Sequence, residues 1–282
     1  IGNRPCLQNE LESQRICVKI GTASLHDMAS PEKAARKAQR NTENKLTTTR
    51  LTLNIGVTGH RVLPEGMQAD VLSRVQTVLQ FLQEELRGIH REHEAFFRRL
   101  DGGAPVRTRI ISSLAEGVDT MVAREALALG YELQCPIPMA REAYEASFGD
   151  PAHIATFRSL LEQADAVFEI ECCNTLSSHA YDDASQTMLK HADLLVAVWD
   201  GKSTKYIAGT YATMQAAAEA NIPILHIPVN APGEIVLIEG LTEYRDWQGT
   251  LKERLRQLLL PEQDMEQVEA HPEPYIIPTP EA

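Results

Sequence analysis

Several features are scarce or missing in this 282-residue chain, and each absence excludes something. No apolar run approaches the roughly 18 residues of a membrane-spanning helix, and the first residues hold no apolar signal core. Cysteines number only five, at positions 6, 17, 135, 172 and 173. The count is odd and no CxxC occurs, which argues against a disulfide framework and for a reducing, cytoplasmic compartment. Aromatic residues are few, at 5% of the chain. Cationic residues are also in deficit: 27 Lys and Arg face 39 Asp and Glu, a net charge of −12. That balance disfavours binding through a basic face, so the expectation is no nucleic-acid partner and no insertion into an anionic membrane.

The charge that is present is uneven. Residues 1–50 carry nine Lys and Arg against five Asp and Glu, whereas residues 231–282 carry four against eleven. The first 50 residues lack a clear period and read as a mobile N-terminal extension, with one short polar helix over 31–44 capped by Ser30. Met28 opens MASPEKAARKAQ, an ordinary-looking start that marks residues 1–27 as an upstream extension. The closing YIIPTPEA reads as a cut inside a longer protein, with room for a fused effector domain.

From Leu51 the pattern sharpens into alternating apolar runs and helical stretches. Strands are predicted over 51–57, 107–112, 131–135, 166–170, 193–199 and 222–227. Helices are predicted over 65–87, 116–129, 152–164, 180–192 and 210–220, the first from Val71, Val75, Val78, Leu82 and Leu86 at helical spacing. Near-continuous apolar strands imply a sheet covered on both faces, and βαβ alternation implies parallel pairing. The predicted fold is therefore α/β: a Rossmann-like, doubly wound, mainly parallel sheet with helices on both faces, over residues 51–230. Residues 231–282 read as a helical (243–260) and Pro/Glu-rich tail or linker.

In such a sheet ligands bind beyond the carboxyl ends of the strands. Within NIGVTGHRVLPEG, Gly56 stands near the end of the first strand and Thr58, Gly59, His60 and Arg61 follow it. Ser112 and Ser113 follow the second, with Glu116, Gly117 and Asp119 opening the next helix. Asp200 and Gly201 follow the fifth, and Gly209 and Thr210 open the helix before the last. Helix N-termini offer free amides, glycine lets an anion approach the backbone, and Arg61 has the fork that grips a phosphate. Bland readings stand beside these. Ser112 and Ser113 suit a helix cap, and Glu116 and Asp119 suit a helix first turn. His90 and His93, at i and i+3, have no third ligand nearby and read as a solvated face, so no metal and no cofactor is expected. Cys172 and Cys173 read as strand-end residues. The GKST of WDGKST is not a P-loop, because the position that needs its first glycine is Val196.

The string GVTGHR, SSLAEGVDTMVAREALALGYELQCPIP, the later Tyr144 and Phe148, LLVAVWDG, and GT before the helix that leads to IPILHI resembles the SLOG superfamily. That group holds Rossmann-like domains, among them the lonely-guy phosphoribohydrolases, DNA-processing proteins and sensor domains of bacterial stress and defence systems. The resemblance covers roughly residues 51–230. It implies a pocket for a nucleotide or a nucleotide-derived ligand such as an ADP-ribose relative, met by the fourteen rim residues named above, and often a homo-oligomer. The hydrolase branch carries PGGxGTxxE, whereas this chain has KYIAGTYAT, with Tyr206 and Ala208 for glycines and Thr213 at the glutamate position. Loss of that carboxylate argues against the branch's N-glycosidic hydrolysis, and no catalytic residue is assigned. The expected role is ligand sensing; the alternative is a nucleoside 5′-monophosphate phosphoribohydrolase with Glu116 or Asp119 as acid/base.

Overall fold

The computed structural model describes residues 18–20, 50–170, 178–202, 209–230 and 233–261. The expected helix over 31–44, the Cys172–Cys173 pair, Tyr206, Ala208 and the tail beyond 261 lie outside these residues. The strands are β1 (Val18–Ile20), β2 (Thr52–Gly59), β3 (Arg107–Ile111), β4 (Glu132–Ile137), β5 (Ala166–Ile170), β6 (Leu194–Trp199), β7 (Ile224–Pro228), β8 (Val236–Glu239) and β9 (Thr242–Tyr244). The helices are α1 (Gln68–Glu92), α2 (Glu94–Asp101), α3 (Val118–Ala128), α4 (Arg141–Ala146), α5 (Pro151–Gln163), α6 (Ser178–His191), α7 (Thr210–Glu219) and α8 (Trp247–Leu259).

One sheet runs β1-β5-β4-β3-β2-β6-β7-β8-β9. Its six central strands pair in parallel, and β1, β8 and β9 join antiparallel at the two edges. The chain leaves β2 in one direction through β3, β4 and β5, then returns to β6 and leaves in the other. The topological switch point therefore lies between β2 and β6. This is the doubly wound, mainly parallel sheet that the apolar runs predict.

Burial explains the pattern. On β6, Leu194, Leu195, Val196, Ala197 and Val198 are consecutive and all buried. Both faces of that strand are covered, so alternation disappears. On one face Leu53, Ile55 and Val57 of β2 join a large core with Val71, Val75, Leu79 and Leu82 of α1, together with residues of α3, α5 and α8. On the other, Ile111, Leu195 and Ala197 meet Met188 and Leu189 of α6 and Met214 and Ala217 of α7. Truncating one such leucine to alanine costs about 2–5 kcal/mol.

Two boundaries are corrected. Residues 231–282 are not simply a tail, because β8, β9 and α8 extend the sheet and core to residue 259. Within the expected mobile extension, Val18–Ile20 pairs with β5 as an edge strand. Among the described residues, no helix is long and apolar enough to cross a membrane, and no group of three metal-ligating side chains occurs. His90 is not on a solvated face: its ring lies 4.9 Å from that of Phe97, and its Nε2 is 3.2 Å from the Gly103 carbonyl oxygen.

Candidate functional site

The turn that follows β2 is held on three sides. The Val118 N–H, at the start of α3, donates to the His60 carbonyl at 3.1 Å. Gly117, with φ +85° and ψ −118°, lies so close that a Cβ there would fall 2.2 Å from the Arg61 carbonyl oxygen and 2.5 Å from that of His60. His60 Nε2 accepts the Asp200 N–H at 3.1 Å, which ties the turn to the loop after β6. The same nitrogen is 3.3 Å from Asp200 Oδ1.

The glycines have a different task from the expected one. A Cβ at Gly59 would lie 2.5 Å from Val118 Cγ1. Gly59 and Gly117 thus allow one turn to lock against another, rather than baring backbone to an anion. Gly56 sits inside the sheet, where a Cβ would meet Met188, Ala192 and Leu195, each at 3.3 Å. It is a core position and does not reach the rim.

After β3, Ser112 is fully buried; its hydroxyl accepts the Leu114 N–H at 3.1 Å and donates to Asp119. It closes its own loop and does not cap α3, whose N-cap is Gly117. Leu114 holds a positive φ of 56° while fully buried, so the loop is strained and held by its packing. Asp119 is 7% exposed. Burial pushes its carboxyl up to about 7, against the opposing pull of the Ala115 N–H, the Ser112 hydroxyl and the Arg61 charge. Ser113 and Glu116 are half-buried on the same loop.

After β6, the Asp200 carboxylate accepts the Lys202 N–H at 3.0 Å. Burial pushes Asp200 up, but that bond and the charges of His60 and Lys202 outweigh it and hold the group below the usual carboxylate range. Gly201 is exposed, with φ +82° and open space where a Cβ would stand. Gly209 caps α7 without a side chain, and Thr210 is the first residue of that helix. Thr213 is buried and donates its hydroxyl to the Gly209 carbonyl at 3.1 Å, so no carboxylate occupies the place where the hydrolase pattern has its glutamate.

Arg61 is exposed, and its guanidinium carbon stands 5.2 Å from the Tyr181 ring centre. No carboxylate bonds it among the described residues. Beyond Tyr181 lies an aromatic cluster that the fourteen rim residues do not include. Tyr144 is 6.2 Å from Tyr181, 4.7 Å from Phe148 and 5.5 Å from Phe157, between ring centres, and His153 is 4.3 Å from Phe148. Tyr144 and Phe148 belong to the motif string that carries the family resemblance; His153 and Tyr181 carried no signal. Named contacts join His60, Arg61, Ser112, Gly117, Asp119 and Asp200. Thr58, Gly201, Gly209 and Thr210 share the rim through their places at strand and helix ends. A shallow depression of about 380 Å³ lined by Arg87, His90, Arg91 and Val106 lies at the opposite, N-terminal edge of β3, away from this chemistry.

No protein-family model matches the chain, and no curated protein does. Solved structures do. DNA processing protein A from Helicobacter pylori, described by its single-stranded DNA binding mode, has a TM-score of 0.42 at 13% identity, over 64% of this chain and 67% of that one. DNA processing protein A from Streptococcus pneumoniae has a TM-score of 0.42 at 16% identity, over 72% of this chain and 56% of that one. A structural-genomics target, TM1055, has a TM-score of 0.34 at 11% identity, over 76% of this chain and 88% of that one. The fold is a Rossmann-like α/β domain. The expectation of no nucleic-acid partner is withdrawn, because one of these similar structures binds single-stranded DNA. The physical error lay in reading net charge as local charge: strands are gripped by local cations and ring stacking, which a net acidic chain still has room for.

Proposed function

We propose that the chain binds a nucleotide or nucleotide-derived molecule, of the ADP-ribose kind, in the crevice between the β2 and β6 turns. It acts there as a ligand-sensing module inside the cell. The observation that carries this reading is the meeting of three elements at the switch point. His60 joins the two loops on either side of the crevice, Arg61 holds a guanidinium free of any described carboxylate, and α7, which follows β6, begins at an N-cap with no side chain. A guanidinium and a helix N-terminus both favour phosphate oxygens. The turn between them is fixed before a ligand arrives, which lowers the ordering cost of binding.

A second reading has one observation in its favour. Asp119, held near 7, has the acidity of a group able to give and take a proton at neutral pH. An N-glycosidic hydrolase would use it so, although Thr213 leaves that reading without its family's glutamate. Calorimetry with AMP and ADP-ribose, followed by an assay for released base or ribose, separates the two. Heat without turnover supports sensing, turnover lost in Asp119→Asn supports the enzyme, and absence of heat with either compound refutes both.

A further inference from the structure

The aromatic cluster next to the rim holds two polar atoms with nothing to bond. Tyr144 Oη and His153 Nε2 are both shut off from solvent and have no hydrogen-bond partner among the described residues. Tyr144 is 1% exposed and His153 is 9% exposed. An unpaired buried donor or acceptor costs about 1–3 kcal/mol, so two on rings that both touch Phe148 call for an explanation.

Their surroundings select the chemistry of the missing partner. Both groups feel the charges of Glu116 and Arg61, and Tyr144 also feels Asp119. Burial holds the His153 ring below the usual histidine range and pushes the Tyr144 hydroxyl up, so both are neutral at physiological pH. Two neutral atoms close to carboxylates do not suit a phosphate, which seeks cations. They suit a group that is itself uncharged and both gives and accepts hydrogen bonds, and that tolerates aromatic walls. A sugar hydroxyl has these properties. The Arg61 guanidinium, stacked on Tyr181 at the edge of the cluster, is in place to hold the phosphate that such a sugar would carry.

We infer that Tyr144 and His153 form a subsite for the hydroxyl-bearing sugar ring of the ligand, adjoining a phosphate position at Arg61. This rests on the nucleotide reading above and extends it to residues outside the rim loops.

The test compares AMP with 2′,3′-dideoxy-AMP, which differs only in lacking the sugar diol, by calorimetry on the whole chain. The native protein is expected to bind AMP at least about tenfold more tightly than the dideoxy compound, close to 1.4 kcal/mol. Tyr144→Phe should shrink that gap to about threefold or less by weakening AMP alone, with a melting temperature no lower than the native one, since the lost hydroxyl bonds nothing. His153→Phe, which keeps a ring against Phe148, should do the same. If the native protein binds the two nucleotides equally, or both variants keep the full gap, the subsite is refuted while nucleotide binding stands. A lower melting temperature in Tyr144→Phe with an unchanged gap would assign the hydroxyl to a trapped structural water, and also refutes it. If neither nucleotide binds, the nucleotide reading fails and the subsite with it.

Discussion

The lock between the two rim turns can be tested at Gly117. Its φ of +85° with ψ of −118° is a conformation that residues with a side chain avoid, at about 1–3 kcal/mol. A Cβ would also stand 2.2 Å from the Arg61 carbonyl oxygen, and that oxygen belongs to backbone that His60, through Val118 and Asp200, holds in place. Overpacking of this kind adds about 1–3 kcal/mol, and the stiffer unfolded chain of an alanine returns only about 0.4–1. Gly117→Ala should therefore lose on the order of 2–5 kcal/mol. Gly201→Ala is the control: its φ is also positive, at +82°, but nothing lies within 4 Å of the added methyl. It should lose about 1 kcal/mol, from backbone conformation alone. Urea unfolding followed by far-ultraviolet circular dichroism, at constant slope, gives both numbers from the midpoints. Equal losses at the two sites would mean that the turns do not press on each other, and the account of a pre-formed rim would be wrong.

Gly59→Val should also destabilise, by about 1–3 kcal/mol in the same urea assay, because its Cβ enters the Val118 side chain at 2.5 Å. Arg61→Ala should weaken ADP-ribose binding about tenfold or more in calorimetry while the melting temperature of the empty protein stays within a degree or so, since the guanidinium is exposed and touches only a ring. Asp119 rises from an ordinary 3.8 to about 7 on folding, so the folded state binds more protons across that window and stability falls as pH rises through it, by at most on the order of 4 kcal/mol. Asp119→Asn should flatten that slope, and urea midpoints at pH 5 and pH 8 that shift in parallel with the native protein would contradict it. Tyr131→Phe should lose about 1–2 kcal/mol in urea, because its hydroxyl donates to the buried Leu79 carbonyl at 2.7 Å and that oxygen would be left alone.

The central strands were legible because burial on both faces writes itself as an unbroken apolar run, as in Leu194–Val198. The hairpin of β8 and β9 was not. It lies at a sheet edge, where the apolar run Ile235–Ile238 is short and only Leu237 of Val236–Glu239 is buried, and where β9 is three residues, TEY, with no apolar run at all. Helix α4 has six residues, too few to show a period. The site divides in the same way. That glycines were required at 59 and 117 could be read from the turns, but their reason could not. Val118 lies on another loop from Gly59, and the carbonyls of His60 and Arg61 lie on another loop from Gly117. The fold alone brings these loops together. Ser112 looked equally like a cap or a ligand contact, and the structure gives it a third use inside its own loop.

The position of His60 bears on how this rim would report a ligand. Its carbonyl holds α3, its ring holds the loop after β6, and the next residue reaches α6 through Tyr181. One short turn therefore touches the elements on both sides of the switch point. A phosphate that drew Arg61 from Tyr181 would remove the link to α6 and leave the other two intact, so the change would be confined to one side of the sheet. A ligand shifts an equilibrium only by its different affinity for the two arrangements. Here that difference has a physical source: the guanidinium exchanges a ring contact of about 0.5–1 kcal/mol for a charge-assisted bond to phosphate of about 1.5–3 kcal/mol. The margin is smaller than the cost of forcing a side chain into the glycine-packed turn, so a ligand that exchanged the one contact for the other would leave that turn locked.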